Sequence, residues 1–148
     1  IRLSLVGSEM CIRDRYKGGG ILKTIGTRAF VFLTGCFIYS LMEISARGFT
    51  HWTMTLTGGI ILTILYEMFT GLRSVPFWQK CILGSLIITS VEFTVGVIVN
   101  IILGWNVWNY SDMPFNILGQ ICLPFTVLWF FLCIPAGFVC GIIRKKLE

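Results

Sequence analysis

Four long apolar runs fill the chain after Arg28, and three of them carry a glutamate: Glu43, Glu67 and Glu92. A helix needs about 20 mostly apolar residues to cross a hydrocarbon core of roughly 30 Å. Ala29 to Ile44, Trp52 to Leu72, Cys81 to Leu103 and Ile117 to Ile143 are the candidates. The first is short, so its helix can begin nearer Ile25, and the last is long enough to tilt. A mean hydropathy of +0.83, with only 13% charged residues, excludes an ordinary soluble domain. The pattern predicts an all-α polytopic membrane protein, with about four transmembrane helices in an antiparallel bundle. In 148 residues these spans leave little for an attached catalytic module.

The formal charge of +5 comes from cations scattered along the segments that flank the runs. They form no basic stripe with interleaved aromatics, which argues against nucleic acid as a partner. Read as topology, they are informative. With four spans, Lys17, Lys23, Arg28, Arg73, Lys80, Arg144, Lys145 and Lys146 share one side, and Arg47 stands on the other. Cations concentrate on the cytoplasmic side, so both visible ends are predicted cytoplasmic in a multi-pass cell-membrane protein. The domain reading is then a cytoplasmic flank 16–28, a transmembrane domain 29–143 and a basic tail 144–148. Ser45 to His51 and Arg73 to Lys80 are short connections, so consecutive helices should be antiparallel neighbours.

Cys36, Cys81, Cys122, Cys133 and Cys140 lie in or beside the apolar runs without a C-x-x-C pair. They read as small packing residues rather than disulfide or zinc ligands. His51 is the only histidine, and no serine or cysteine is spaced for a catalytic dyad on a common helix face. No enzyme activity, cofactor or metal is expected.

Helical spacing gathers the polar groups. In the third run Ser85, Thr89, Glu92, Gly96 and Asn100 follow one another at steps of three or four and share a stripe. Thr55, Gly59, Thr63 and Glu67 form a row in the second run, and Cys36, Ser40, Glu43 and Arg47 a row in the first. An acid near a helix centre costs about 3 kcal/mol on insertion scales, while each Leu, Ile, Val or Phe returns about 0.3 to 0.6. The third run holds 14 such residues, so it inserts despite Glu92. Its side chain must then find a partner or a wet cavity. The intramembrane candidates are Glu92, Asn100, Glu67 and Glu43; Glu43 can also pair with Arg47 one turn later. The competing reading is helix packing, with small residues permitting close backbone approach and a protonated Glu bonding across an interface.

In the fourth run Pro124 and Pro135 are predicted to interrupt a helix and free the carbonyls of Gln120 and Phe131. Cys133, Gly137 and Gly141 extend a small-residue row. The segment Gly104 to Gln120, GWNVWNYSDMPFNILGQ, is the densest in polar and aromatic groups. Trp105, Asn106, Trp108, Asp112, Asn116 and Gln120 are its candidate ligand contacts. The alternative is an interfacial aromatic belt, with Pro114 in a turn and Asn116 as N-cap of the last helix. Trp52, Phe77 and Trp78 sit at span ends as anchors.

Two strings resemble known sequences. Leu5 to Arg15, LVGSEMCIRDR, matches residue for residue the translation of a widely used transposase sequencing-library adapter. Leu3 to Val6 is too short for a signal sequence, so residues 1–15 are expected to be adapter-derived and the native N-terminus to lie elsewhere. LGWNVWNYSDMPFNILGQICLPF (Leu103 to Phe125) and ARGFTHW (Ala46 to Trp52) resemble the small bacterial membrane proteins named putative ABC-transporter type IV, or ABC transporter permeases. The resemblance covers most of the chain after Thr27 and implies a multi-span, permease-like protein of the bacterial inner membrane. It carries over no catalytic or ligand-contacting residue, and it suggests a C-terminus cut short near Glu148. A G-x-x-x-x-G-K-[ST] phosphate loop does not occur in the chain, so ATP-driven transport would require a separate nucleotide-binding ATPase subunit. Four helices enclose little on their own. Transport therefore implies partners or a homo-oligomer, in which the Ser85 to Asn100 and Thr55 to Glu67 rows meet. A non-transport membrane scaffold or regulatory subunit is the alternative.

Overall fold

The computed structural model describes residues 3–147, with side chains from residue 22 onward. The adapter segment and Lys17 lie outside the described side chains. In chain order the elements are α1 (Leu3–Arg47), α2 (Trp52–Gly71), α3 (Phe77–Gly96) with a π-helical continuation (Val97–Ile102), β1 (Asn116–Ile117), β2 (Ile121–Cys122) and α4 (Leu123–Leu147). Four stretches are long and apolar enough to cross a membrane: Leu22–Arg47, Trp52–Gly71, Phe77–Ile102 and Leu123–Leu147. The protein is an all-α, four-helix membrane bundle with one small hairpin.

The third span starts at Phe77 instead of Cys81, the first and last spans run on to Arg47 and Leu147, and the largest shifts are at the starts of the first and last. The first apolar helix includes Leu22 to Arg28, because its polar groups are satisfied there: Thr27 Oγ1 donates to Lys23 O at 3.1 Å and Arg28 Nε to Glu67 Oε1 at 2.7 Å. The last helix begins at Leu123 instead of Ile117. Apolar Ile117, Leu118 and Ile121 looked helical, but Leu118 and Gly119 take positive φ values of 52° and 66°, closing a tight hairpin. Asn116 pairs with Cys122 in that hairpin and so does not cap α4. Pro124 is the second residue of α4 and interrupts nothing there, since first-turn N–H groups have no intrahelical partner. Pro135 does stand inside the helix.

α2 is the central helix, packing against the other three. Half of its span is buried, against 11% for the first span, which leans on α2 and barely meets α4. Glycines set the α1–α2 approach. A Cβ on Gly35 would lie 2.5 Å from Gly58 O, and one on Gly59 2.6 Å from Cys36 Sγ. The core joins Ile61, Leu65 and Met68 of α2 to Cys81 and Ile88 of α3 and to Trp129 and Cys133 of α4. Cys81, Cys122, Cys133 and Cys140 are buried free thiols. Outward faces carry Leu33, Phe37, Phe131 and Ile142, each more than half exposed and suited to lipid.

The two ends of the bundle differ. At one, Lys80 Nζ and Arg144 Nη1 donate to Phe69 O and Thr70 O at 3.3 and 3.1 Å, covering C-terminal carbonyls of α2. Phe77 packs there on Phe69 and Phe138. At the other, the rings of His51, Trp52 and Trp105 cluster within 5.7 to 5.9 Å of one another.

Candidate functional site

The polar stripe of α3 faces α4 and the segment that precedes it. Ser85 Oγ donates to Thr126 O and Thr89 Oγ1 to Thr126 Oγ1, both at 3.2 Å. One turn on, Glu92 is 4% exposed, and its two oxygens have separate donors. Tyr39 O–H of α1 reaches Oε1 at 3.1 Å, and the Trp129 indole N–H of α4 reaches Oε2 at 2.7 Å. The Tyr39 and Trp129 rings stack at 6.1 Å. One carboxyl group thus ties three helices together.

A second polar cluster closes the aromatic end. The wide π-helical turn carries Asn100 toward the segment after it. Asn100 Nδ2 donates to Gln120 Oε1 at 2.8 Å, and its Oδ1 accepts from Val107 N at 2.7 Å. Trp108 Nε1 donates to Gln120 O at 2.9 Å. Gly96 makes the room: a Cβ there would stand 2.7 Å from Gln120 Oε1 and 3.0 Å from the Trp108 ring. Trp108 and Gln120 are buried, so these two candidates hold the loop in place. Asn116 does likewise, its Nδ2 donating to Met113 O and its Oδ1 accepting from Gly119 N. Trp105, Asn106 and Asp112 are exposed on the surface of the segment. The six loop candidates therefore divide into three structural and three surface residues, which the structure does not bring to a common point.

Glu67 is half exposed and paired with Arg28, away from Glu92. The row it belongs to faces α1, where Ser40 Oγ and Thr55 Oγ1 share a hydrogen bond of 2.8 Å. The Thr55 to Glu67 and Ser85 to Asn100 rows thus serve different interfaces within one chain.

Glu43 lines an open space. A cavity of about 260 Å³ between α1 and α4 is lined by Tyr39, Glu43, Arg47, Tyr110, Phe125 and Trp129, among others. Arg47 Nη2 is 3.1 Å from Glu43 Oε1, the pairing the four-residue spacing predicts, and Glu43 Oε2 accepts from Thr50 Oγ1 at 2.7 Å. The Tyr110 ring stacks on Phe125 at 4.7 Å. Burial holds the Tyr110 phenol above its usual range, with the nearby Glu92 charge acting the same way. It remains an O–H at neutral pH. Neither Glu92 nor Asn100 lines this cavity; Tyr39 and Trp129 stand between it and Glu92.

Sequence reasoning missed Tyr39 and Trp129. A tryptophan in mid-span, away from the interfaces that its ring prefers, was the available signal, since a buried indole N–H needs an acceptor. No curated protein and no solved structure matches the chain. A family model matches residues 22–145, all four spans and the segment between α3 and α4, and the chain belongs to the family described as Putative ABC-transporter type IV.

Proposed function

We propose that this chain is the membrane-embedded, permease-like component of an ATP-driven transporter, working with a separate nucleotide-binding subunit. The family match across all four helices is the observation that carries this reading. In this reading the helices of residues 22–147 supply the bilayer part and the separate subunit binds the nucleotide. Both ends lie in the cytoplasm in this reading, because the basic end carries Arg28, Arg73, Lys80 and Arg144 to Lys146. Glu43, Arg47 and Tyr110 are among the polar groups that line the cavity, and the Glu92 cluster backs its wall.

A specific observation favours the scaffold reading beside it. The stripes that could have lined a pathway in an assembly are already used within the chain, Thr55 on Ser40 and Asn100 on Gln120. Affinity purification from gently solubilised membranes, followed by mass spectrometry, separates the two readings. Recovery of a nucleotide-binding ATPase whose ATP hydrolysis rises in the complex is the expected result. Recovery of other membrane proteins alone, with no ATPase at any salt concentration, would move the assignment to scaffold or regulator.

A further inference from the structure

The cleft between α1 and α4 has a charged head and an apolar body. The 260 Å³ cavity at the aromatic end adjoins an apolar cavity of about 180 Å³ toward mid-bundle, Tyr39, Met42 and Trp129 lining both. A shallower groove over Ile38, Met42, Leu128 and Leu132 continues the same surface. Met42 borders all three spaces, and exposed Ile38, Leu41 and Leu128 mark where the cleft opens on the bundle's side.

Arg47 closes the head end as the last residue of α1. Its Nη1 donates to Val107 O at 3.3 Å, while Nε and Nη2 are buried and make no hydrogen bond among the described residues. The nearby Glu43 oxygen balances the charge at 3.1 Å without an aligned hydrogen bond. Buried guanidinium donors without acceptors are costly, and their fork matches phosphate oxygens. A bare anion would face Glu43, however, and a bare cation would face Arg47. The Glu43–Arg47 pair is neutral as a whole, so a ligand bearing both charges complements it best. Glu43 and the lining rings of Tyr39, Tyr110, Phe125 and Trp129 suit an ammonium group.

We propose that this cleft binds one zwitterionic membrane phospholipid with an ammonium headgroup. Its phosphate sits on Arg47 and its ammonium by Glu43 and the aromatic rings, while an acyl chain lies along Ile38, Met42, Leu128 and Leu132. The position fits: Arg47 ends a span, and the next span starts at Trp52, whose ring packs on Trp105, aromatics of the kind that sit at headgroup level. Lipid binding is independent of whether the protein transports anything.

The test uses the full chain in nanodiscs of equal phosphatidylethanolamine and phosphatidylglycerol, with retained lipids counted by native mass spectrometry. Wild type should retain phosphatidylethanolamine over phosphatidylglycerol by about fivefold or more, the ratio that ~1 kcal/mol supplies. Arg47→Gln and Glu43→Gln should each return the ratio to that of the bulk, and Arg73→Gln, at the opposite end, should leave it unchanged. Circular dichroism and monodispersity show that the variants fold; were Arg47→Gln to misfold, Glu43→Gln and Phe125→Leu carry the test. A bulk ratio in wild type, a preference for phosphatidylglycerol, or an enrichment that survives the head-group substitutions in folded protein would overturn the assignment.

Discussion

Glu92 shows how an acid can be accommodated in mid-bundle without a cation. Its oxygens take one phenol and one indole donor from different helices, so the residue acts as a joint between α1, α3 and α4. Trp129→Phe keeps the ring and removes one donor, leaving Oε2 buried without its partner. Interhelical hydrogen bonds in membranes contribute roughly 0.6 to 2 kcal/mol, and Trp129→Phe should lower unfolding stability in mixed micelles by about that amount. Glu92→Leu combined with Trp129→Phe should cost less than the two single changes added together, because both polar partners leave at once. Additive losses in that cycle would mean that the 2.7 Å contact contributes no coupling. The Ser85 to Asn100 stripe was legible because helical spacing alone puts those residues on one face. Their partners were not: Tyr39 is 53 residues from Glu92, and only folding brings the two together.

At the level of elements, close backbone approach explains why α1 stays on α2 with so little of its surface buried. A Cβ on Gly58 would run into the Tyr39 side chain and stand 3.0 Å from Gly35 O, neither of which can move without shifting a helix. Gly58→Ala should therefore destabilise by about 1 to 3 kcal/mol in a detergent unfolding titration, the usual cost of overpacking. Gly26→Ala, with nothing within 4 Å of its Cβ, should be neutral or stabilise slightly. Equal effects of the two substitutions would show that packing density does not set this interface. Four helices were readable from hydropathy, including the approximate limits of α2 and α3. The start of α4 was not, because Ile117 to Cys122 is apolar enough to continue a helix. The same residues form a hairpin once Leu118 and Gly119 adopt positive φ. Asn116 misled for a related reason: an Asn side chain that can cap a helix can equally brace a turn, and here it braces Met113 and Gly119.

For the molecule as a whole, charge sets the orientation that we propose, and fusions test it. A fluorescent protein joined after Glu148 should fluoresce and an alkaline phosphatase at the same point should be inactive, while phosphatase inserted between Ser111 and Asp112, both exposed, should be active. The opposite pattern would reverse the sidedness and place the Arg47 cleft in the inner leaflet. The sequence by itself determined that the chain enters a membrane, that it does so as helices, and that each helix has a small or polar seam. These follow from hydropathy and from the 3.6-residue period, both properties of neighbouring residues. Only the tertiary structure decided what those seams meet. The α2 row closes on α1, the α3 stripe closes on α4 and Gln120, and the charged cleft opens elsewhere, at Glu43 and Arg47. Spacing along a helix fixes a direction around its axis, but the side chain that waits in that direction is chosen by how the helices pack.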